Sequence, residues 1–503
     1  MNDRPATVSA CSLYRQERAD EVLGWWPVTH RSAEKAAAAF AAGPVLVVVA
    51  LKCALEVAVA GRYGWHRDEL YYAVAGLHLQ GGYVEFPPAT GLLAALAREL
   101  FGWSLVGLRA FTILAAAGTV LVGALAAREL GATRRVQTLA AVMIGFSPGV
   151  LATNLLFQPV ALDQLTTMVV LWLALRLALG RGSWPLLAVA AGIGLETKYT
   201  IAVVLVLLIA TFLVWRRDVL RSWGLPLAVA IAAVLLVPNI VWEAGHGWTS
   251  VHWFLNPPPS GSDETRPQFL VNLILLTAVA FPVAVAGVVS LVRIRGLRPL
   301  GWTVVGTVVV YFVLGGKSYY ALPVVLFALA AGWIPLDRWA TRRRLLVASA
   351  LFVASGLLVL PLALPVLPLH TAVRLGIVKA RDDYQSEVGW PGYVRLVERH
   401  AAGADVIVAD NYGEAGALEL FGRSLPPVAS ADVTMRYWRP QVTGRRALLV
   451  GYSRRAAGFC SGYRVVARIS AADDSNEGGQ PIARCTLRST LARVWPSIVA
   501  TPD

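Results

Sequence analysis

Residues 43–61 read GPVLVVVALKCALEVAVAG. A run this apolar is long enough to cross a hydrocarbon core as a helix. It must be helical there, because lipid offers no partner to a free backbone N–H or C=O. Its two charges, Lys52 and Glu56, stand at i,i+4 spacing. They read as a structural pair within the span in preference to a catalytic one.

Working outward, ten further apolar runs follow at 105–127, 136–153, 163–180, 184–197, 198–215, 223–243, 268–292, 300–315, 318–336 and 344–368. The pattern predicts an all-α polytopic membrane protein of about eleven transmembrane helices. The runs at 184–197 and 198–215 are short and would tilt or re-enter. Composition agrees: the 503 residues are 56% hydrophobic and 15% charged, against about 25% charged in soluble domains. The net charge of +14 does not suggest nucleic acid, because the Arg residues sit in short gaps between apolar runs and form no basic face.

Those gaps set an orientation. Arg128, Arg134 and Arg135, then Arg181, then Arg216, Arg217 and Arg221, then Arg293, Arg295 and Arg298, then Arg338, Arg342, Arg343 and Arg344 alternate with gaps poor in Arg and Lys. The positive-inside rule places the Arg-rich set, and a polar tail 1–42, in the cytoplasm. No cleavable signal is expected. Loops 62–104, 154–162, 244–267 and the region near 316 fall outside, as does everything after about 370. The expected organisation is a tail 1–42, a membrane domain 43–370 and a small soluble extracytoplasmic α/β domain 371–503. The last contains short apolar runs at 404–409, 446–452 and 463–469 bounded by turn residues. Within loop 62–104, the stretch from Glu69 to Gly81 and the one after Pro87-Pro88 read as amphipathic interfacial helices. Asn256-Pro257-Pro258-Pro259-Ser260-Gly261 reads as a mobile loop. Of four cysteines, Cys460 and Cys485 lie in the C-terminal region, as a disulfide if that region is outside or as free thiols otherwise.

Chemistry gathers on the outer side. His66-Arg67-Asp68-Glu69-Leu70-Tyr71-Tyr72 places two carboxylates at the mouth of the first span. The same side receives Glu85, Asp163, Glu196, Lys198 and Lys317 with Tyr319 and Tyr320. Ionisable groups at membrane depth are costly and usually serve a cavity or a path. Transfer of a sugar from a lipid phosphate needs such a set. It needs a carboxylate base for the acceptor hydroxyl, cations and hydroxyl donors for the departing phosphate, and a position at the bilayer surface for the donor tail.

These residues resemble the GT-C superfamily of membrane glycosyltransferases, in particular glycosyltransferase family 39, the dolichyl-phosphate-mannose protein mannosyltransferase-like group that includes the bacterial aminoarabinose transferases. The resemblance runs over 43–370. It rests on Asp68-Glu69 with Tyr71-Tyr72, Glu85-Phe86-Pro87-Pro88, Asp163, Gly194-Leu195-Glu196-Thr197-Lys198-Tyr199, and Lys317-Ser318-Tyr319-Tyr320 leading to Pro323. Asn411-Tyr412-Gly413-Glu414-Ala415-Gly416-Ala417 resembles the C-terminal domain of bacterial relatives.

The resemblance implies inverting transfer from a polyprenyl-phosphate sugar to an acceptor glycan, lipid or protein. Asp68 would be the base and Glu69 a supporting carboxylate. His66, Arg67, Glu85, Asp163, Lys198, Lys317, Tyr319 and Tyr320 would bind substrate. Where aminoarabinose transferases carry Lys in Glu-x-Pro-Pro, this chain has Phe86, which weakens any claim to their donor or acceptor. No metal is required, although Glu69 and Asp163 offer ligands for Mg or Mn.

Other residues carry two readings. Trp248, His252 and Trp253 either stack on a sugar or form an interfacial belt, and His246 and His252 either ligate metal or, as lone loop histidines usually do, nothing. Asp410 to Gly416 reads as a strand–turn–helix whose helix start either binds a glycan or is an ordinary cap. Two other classes of function compete: a transporter or flippase of lipid-linked sugars, whose charged groups should lie near the midplane in related halves, and a non-catalytic scaffold.

Overall fold

The computed structural model describes residues 39–256, 264–336, 341–455, 457–471 and 474–499. The tail up to residue 38, with Cys11, the Pro257–Gly261 part of the loop and Arg338 lie outside the described residues. The first apolar run forms helix α1 (Ala42–Val59). Lys52 Nζ donates to Glu56 Oε1 at 2.5 Å, and both side chains are fully buried. The expected pair therefore forms on the face of α1 that meets other helices, while Leu46, Val47, Leu51 and Val57 of the same helix stay exposed.

Every apolar run is helical, but the expected count of eleven crossings is not what the helix lengths support. Among the described residues, five helices are long and apolar enough to cross a membrane, or seven if each of two bent pairs counts as one span. The bent pairs are Arg134–Gly145 with Pro148–Asn154 (53°) and Gly224–Leu235 with Val237–Gly245 (51°). Pro148 and Pro238 stand just inside the second helix of each pair, where a ring with no N–H breaks the preceding ladder. Trp184–Leu195, Ile201–Trp215, Leu322–Gly332 and Val347–Ala363 are shorter apolar helices. Phe281–Arg293 and Leu322–Leu336 cross closely: a Cβ on Gly287 would fall on the Ala328 carbonyl, and one on Gly332 on the Val283 carbonyl.

The segment between the first apolar helix and the next long one holds two helices, α2 (Arg67–Ala75) and α3 (Ala89–Phe101). α3 matches the amphipathic expectation, with Leu92, Leu96 and Leu100 exposed along one face and Thr90, Gly91, Ala94 and Ala97 buried on the other. α2 does not lie in an interface. Leu70, Val74 and Ala75 are wholly buried, and Leu70 packs in one cluster with Trp390, Tyr393, Ile407 and Leu418 from the C-terminal region. Burying a leucine side chain stabilises by about 1.5–3 kcal/mol, so α2 is a joint between the two parts of the chain. Membrane span α4 (Leu105–Glu129) follows, then α5 (Pro159–Ala178).

The C-terminal region builds a five-stranded mixed sheet from β1 (Val406–Ala409), β2 (Val428–Ser430), β3 (Arg446–Val450), β4 (Cys460–Arg468) and β5 (Pro481–Leu487), in the order β2-β1-β3-β5-β4. β1 runs parallel to β2 and β3, while β5 is antiparallel to both β3 and β4. The three apolar runs read as strands are β1, β3 and β4. β2 is only three residues long, and β5 alternates buried and exposed positions along Ala483-Arg484-Cys485-Thr486-Leu487, so neither stands out as an apolar run. Cys460 and Cys485 form a disulfide between β4 and β5, with Cα atoms 5.8 Å apart. Helices α6 (Trp390–Ala401) and α7 (Tyr412–Phe421) pack beside the sheet.

Candidate active site

The segment His66–Glu69 is fixed by its own helix start. The backbone N–H of Asp68 donates to His66 Nδ1 (3.1 Å), and the backbone N–H of His66 donates to Glu69 Oε2 (2.8 Å). This reciprocal cap satisfies two of the donors orphaned at a helix start, and it puts both carboxylates where the helix dipole favours them. With Nδ1 accepting, the neutral imidazole is assigned its proton on Nε2, which lies 3.7 Å from Asp383 Oδ1. Burial works against the charge on Asp383, but Arg381, 3.0 Å away, holds its carboxyl below the usual carboxylate range.

The two adjacent carboxylates diverge. Glu69 is wholly buried and fully engaged: Arg109 Nε and Nη2 donate to its two oxygens at 2.8 Å, and the Phe157 backbone N–H donates to Oε1 at 2.7 Å. Arg109 also donates to the Ala60 and Gly64 carbonyls and to Glu387 Oε2 (3.2 Å). Glu69 thus holds the helix start and offers nothing to a metal or a sugar hydroxyl. Asp68 keeps a quarter of its side chain exposed. Gln158 Nε2 donates to its Oδ2 at 2.8 Å and the Tyr412 hydroxyl to its Oδ1 at 2.7 Å.

Lys198 and Lys317 lie within electrostatic reach of each other, and Lys198 within that of Asp68. Lys198, in the turn after Trp184–Leu195, stands over the rings of Tyr319 (5.1 Å) and Tyr320 (4.7 Å). The charges of Asp163, Lys317 and Asp68 all act on it. Glu264 pins the segment carrying Lys317, accepting from the Ser318 N–H (2.9 Å) and hydroxyl (3.0 Å). Asp163, just past the first turn of α5, is 3% exposed, and its Oδ1 accepts from no described residue. Thr167 and Thr200 adjoin it.

Two predicted binding residues, Arg67 and Glu85, turn elsewhere. The Arg67 guanidinium lies 4.7 Å above the Tyr412 ring, within reach of the charges of Asp68, Glu477 and Asp432. Glu85 accepts from Tyr71 Oη (2.8 Å) beside Thr434 of the C-terminal region, and burial raises its carboxyl to about 8. Phe86, in place of the expected lysine, is buried and stacks on Tyr83 (4.5 Å) with Tyr71 and Tyr72 edge-on.

His246 stacks on Trp242 (4.3 Å). Among the described residues no three His, Cys, Asp or Glu stand together to hold a metal. Asn411 caps α7, its Oδ1 accepting from the Glu414 N–H (2.9 Å). The sequence reading missed Arg109, Gln158, Asp383 and Glu387. Of these, only Arg109 carried a signal, as the lone charge at the outer end of an apolar span.

Residues 85–242 match the family described as dolichyl-phosphate-mannose-protein mannosyltransferase. The chain is 28% identical over 294 residues to undecaprenyl phosphate-alpha-4-amino-4-deoxy-L-arabinose arabinosyl transferase 1 of Pseudomonas fluorescens, covering 54% of this chain and 49% of that protein. It is 32% identical over 197 residues to the corresponding transferase of Pseudomonas paraeruginosa, covering 35% of each. The chain thus spans about half the length of the first relative and about a third of the second.

The structure superposes on ArnT from Cupriavidus metallidurans in the apo state with a TM-score of 0.61 at 17% identity, covering 88% of this chain and 98% of that one. It superposes on the same protein bound to undecaprenyl phosphate with a TM-score of 0.58 at 18% identity, covering 88% and 97%. The GT-C resemblance read from the sequence is borne out, and the fold likeness covers 88% of the chain.

Proposed function

We propose that this chain is an integral membrane glycosyltransferase that moves a monosaccharide from a polyprenyl-phosphate donor to an acceptor hydroxyl, with inversion, on the extracytoplasmic face of the cytoplasmic membrane. One observation carries the reading. Asp68, a quarter exposed at the start of α2, shares an electrostatic neighbourhood with Asp163, Lys198, Lys317 and Tyr319, drawn from three other parts of the chain. The transferases matched in sequence are named for an undecaprenyl-phosphate-linked sugar, which favours a donor of that class.

Asp68 takes the proton of the acceptor hydroxyl. The acceptor oxygen bonds to the anomeric carbon as the bond from that carbon to the phosphate oxygen breaks. Lys198 and Lys317, with the Tyr319 and Tyr320 hydroxyls, receive the departing lipid phosphate, where fixed positive charge is worth most as negative charge develops. Asp163 orients the sugar from below. The chemistry needs no metal, since the two lysines supply the positive charge. An N-terminus in the cytoplasm and the C-terminal region outside follow from the Arg-rich gaps, and a disulfide in that region fits an oxidising compartment.

The test is transfer of label from a panel of radiolabelled undecaprenyl-phosphate sugars in membranes, wild type beside Asp68→Asn. Transfer from at least one donor, reduced about 100-fold or more in the variant, is the expected result. Full activity in Asp68→Asn would remove the base assignment. Movement of donor between leaflets without transfer would replace the enzyme by a flippase.

A further inference from the structure

Tyr412 belongs to the C-terminal region, yet its hydroxyl touches the residue on which the proposed chemistry depends. It donates to Asp68 Oδ1 at 2.7 Å across 344 positions of sequence. Four features show that this contact is built. The Tyr412 backbone N–H donates to Asp432 Oδ2 (3.0 Å), at the turn that starts α7. The ring lies between the Arg67 guanidinium (4.7 Å) and the Tyr71 ring (5.0 Å). Burial, with the Asp68 carboxylate beside it, keeps the phenol protonated and so a donor. Finally, α7 lies directly on α2: a Cβ on Gly413 would come 2.9 Å from Arg67 Cβ, and one on Gly416 3.0 Å from Leu70 Cβ and 3.1 Å from its backbone. Only residues without a side chain let the two helices approach so closely.

We propose that Tyr412 is a positioning residue of the active site, holding the Asp68 carboxylate against Gln158 so that the C-terminal domain completes the site when docked on α2. Gln158 approaches Oδ2 from the membrane domain. Tyr412 approaches Oδ1 from the opposite part of the chain. Together they fix the plane of the carboxylate and leave each oxygen a second lone pair for the acceptor hydroxyl. Misplacement of a reacting group by about 1 Å costs on the order of 100-fold in rate, so a base held from two domains works only when both are in place. This inference rests on the proposed role of Asp68, and the test separates the two.

The full-length protein is purified as wild type, Tyr412→Phe, Asp68→Asn and the double variant. Tyr412→Phe keeps the ring and its stacking and loses only the hydroxyl. The expected result is a kcat lowered about tenfold or more, with KM for the donor that supports transfer within about twofold of wild type and the unfolding temperature unchanged. In the Asp68→Asn background the same substitution has no further effect, because Tyr412 acts through Asp68. A kcat within twofold of wild type overturns the proposal, as does an equal loss in both backgrounds, which would mark a merely structural role.

A second readout needs no donor: labelling of Asp68 by dicyclohexylcarbodiimide, followed by peptide mass spectrometry with Glu85 as internal reference. Faster labelling of Asp68 alone in Tyr412→Phe supports the proposal, and equal labelling overturns it. Should the wild type transfer no sugar, the enzyme reading fails while this readout still decides whether Tyr412 holds Asp68.

Discussion

Both oxygens of Glu69 face the guanidinium of Arg109 at 2.8 Å, and neither side chain has any exposed surface. This ion pair anchors α2 to the N-terminal end of α4, and through Glu387 it reaches the C-terminal region. Removing one member leaves a buried charge without its partner, which costs about 3–5 kcal/mol. Glu69→Ala is therefore expected to lower the unfolding temperature of the purified protein sharply. A paired replacement, Glu69→Met with Arg109→Leu, is expected to recover only part of the loss, since it removes the partner of buried Glu387 and the acceptor of the His66 and Phe157 N–H groups. Thermal unfolding of the two variants in detergent distinguishes this from a loss caused by Glu69 alone.

Glu85 makes a pH prediction. Burial raises its folded carboxyl to about 8, against about 4.3 for an unfolded glutamate. Between these values the folded chain holds a proton that the unfolded chain releases. Stability from this site is thus present below about pH 4.3 and is lost as pH rises toward 8. Glu85 joins Tyr71 of α2 to Thr434 of the C-terminal region, so the loss appears at the joint between the two parts of the chain. Glu85→Gln is expected to flatten the dependence of unfolding temperature on pH between 5 and 8. A slope in the variant equal to that of wild type would show that Glu85 titrates normally in the folded chain.

The Cys460–Cys485 disulfide closes a loop with a sequence separation of 25. A cross-link of that length stabilises by about 3 kcal/mol. Cys460→Ser with Cys485→Ser is expected to lower the unfolding temperature and to increase proteolysis within β4 and β5. In intact cells both thiols should resist maleimide until a reductant is added. Ready alkylation without reductant would place them in a reducing compartment and reverse the proposed orientation.

Much of this protein was legible in its sequence. The apolar runs became helices because a backbone in lipid has no other way to close its hydrogen bonds. The Lys52–Glu56 pair followed from i,i+4 spacing alone. Lys198, Lys317, Asp163 and Asp68 were grouped from the alternation of Arg-rich and Arg-poor gaps, and the charges of the other three act on Lys198. How many helices cross was not legible. Two runs bend by more than 50° near prolines and four others are short, and hydropathy counts apolar length without reading direction.

The fates of Asp68 and Glu69 separate the two sources of information most clearly. The sequence alone placed two adjacent carboxylates after the first apolar run, at the start of a stretch from Glu69 read as helical. Only the tertiary structure decided which of them faces the open site. Neighbouring residues on a helix point about 100° apart, so one meets the buried Arg109 of α4 while the other meets Gln158 and Tyr412. Tyr412 lies 344 positions away, and no local spacing specifies such a contact; the packing of α7 on α2 through Gly413 and Gly416 does.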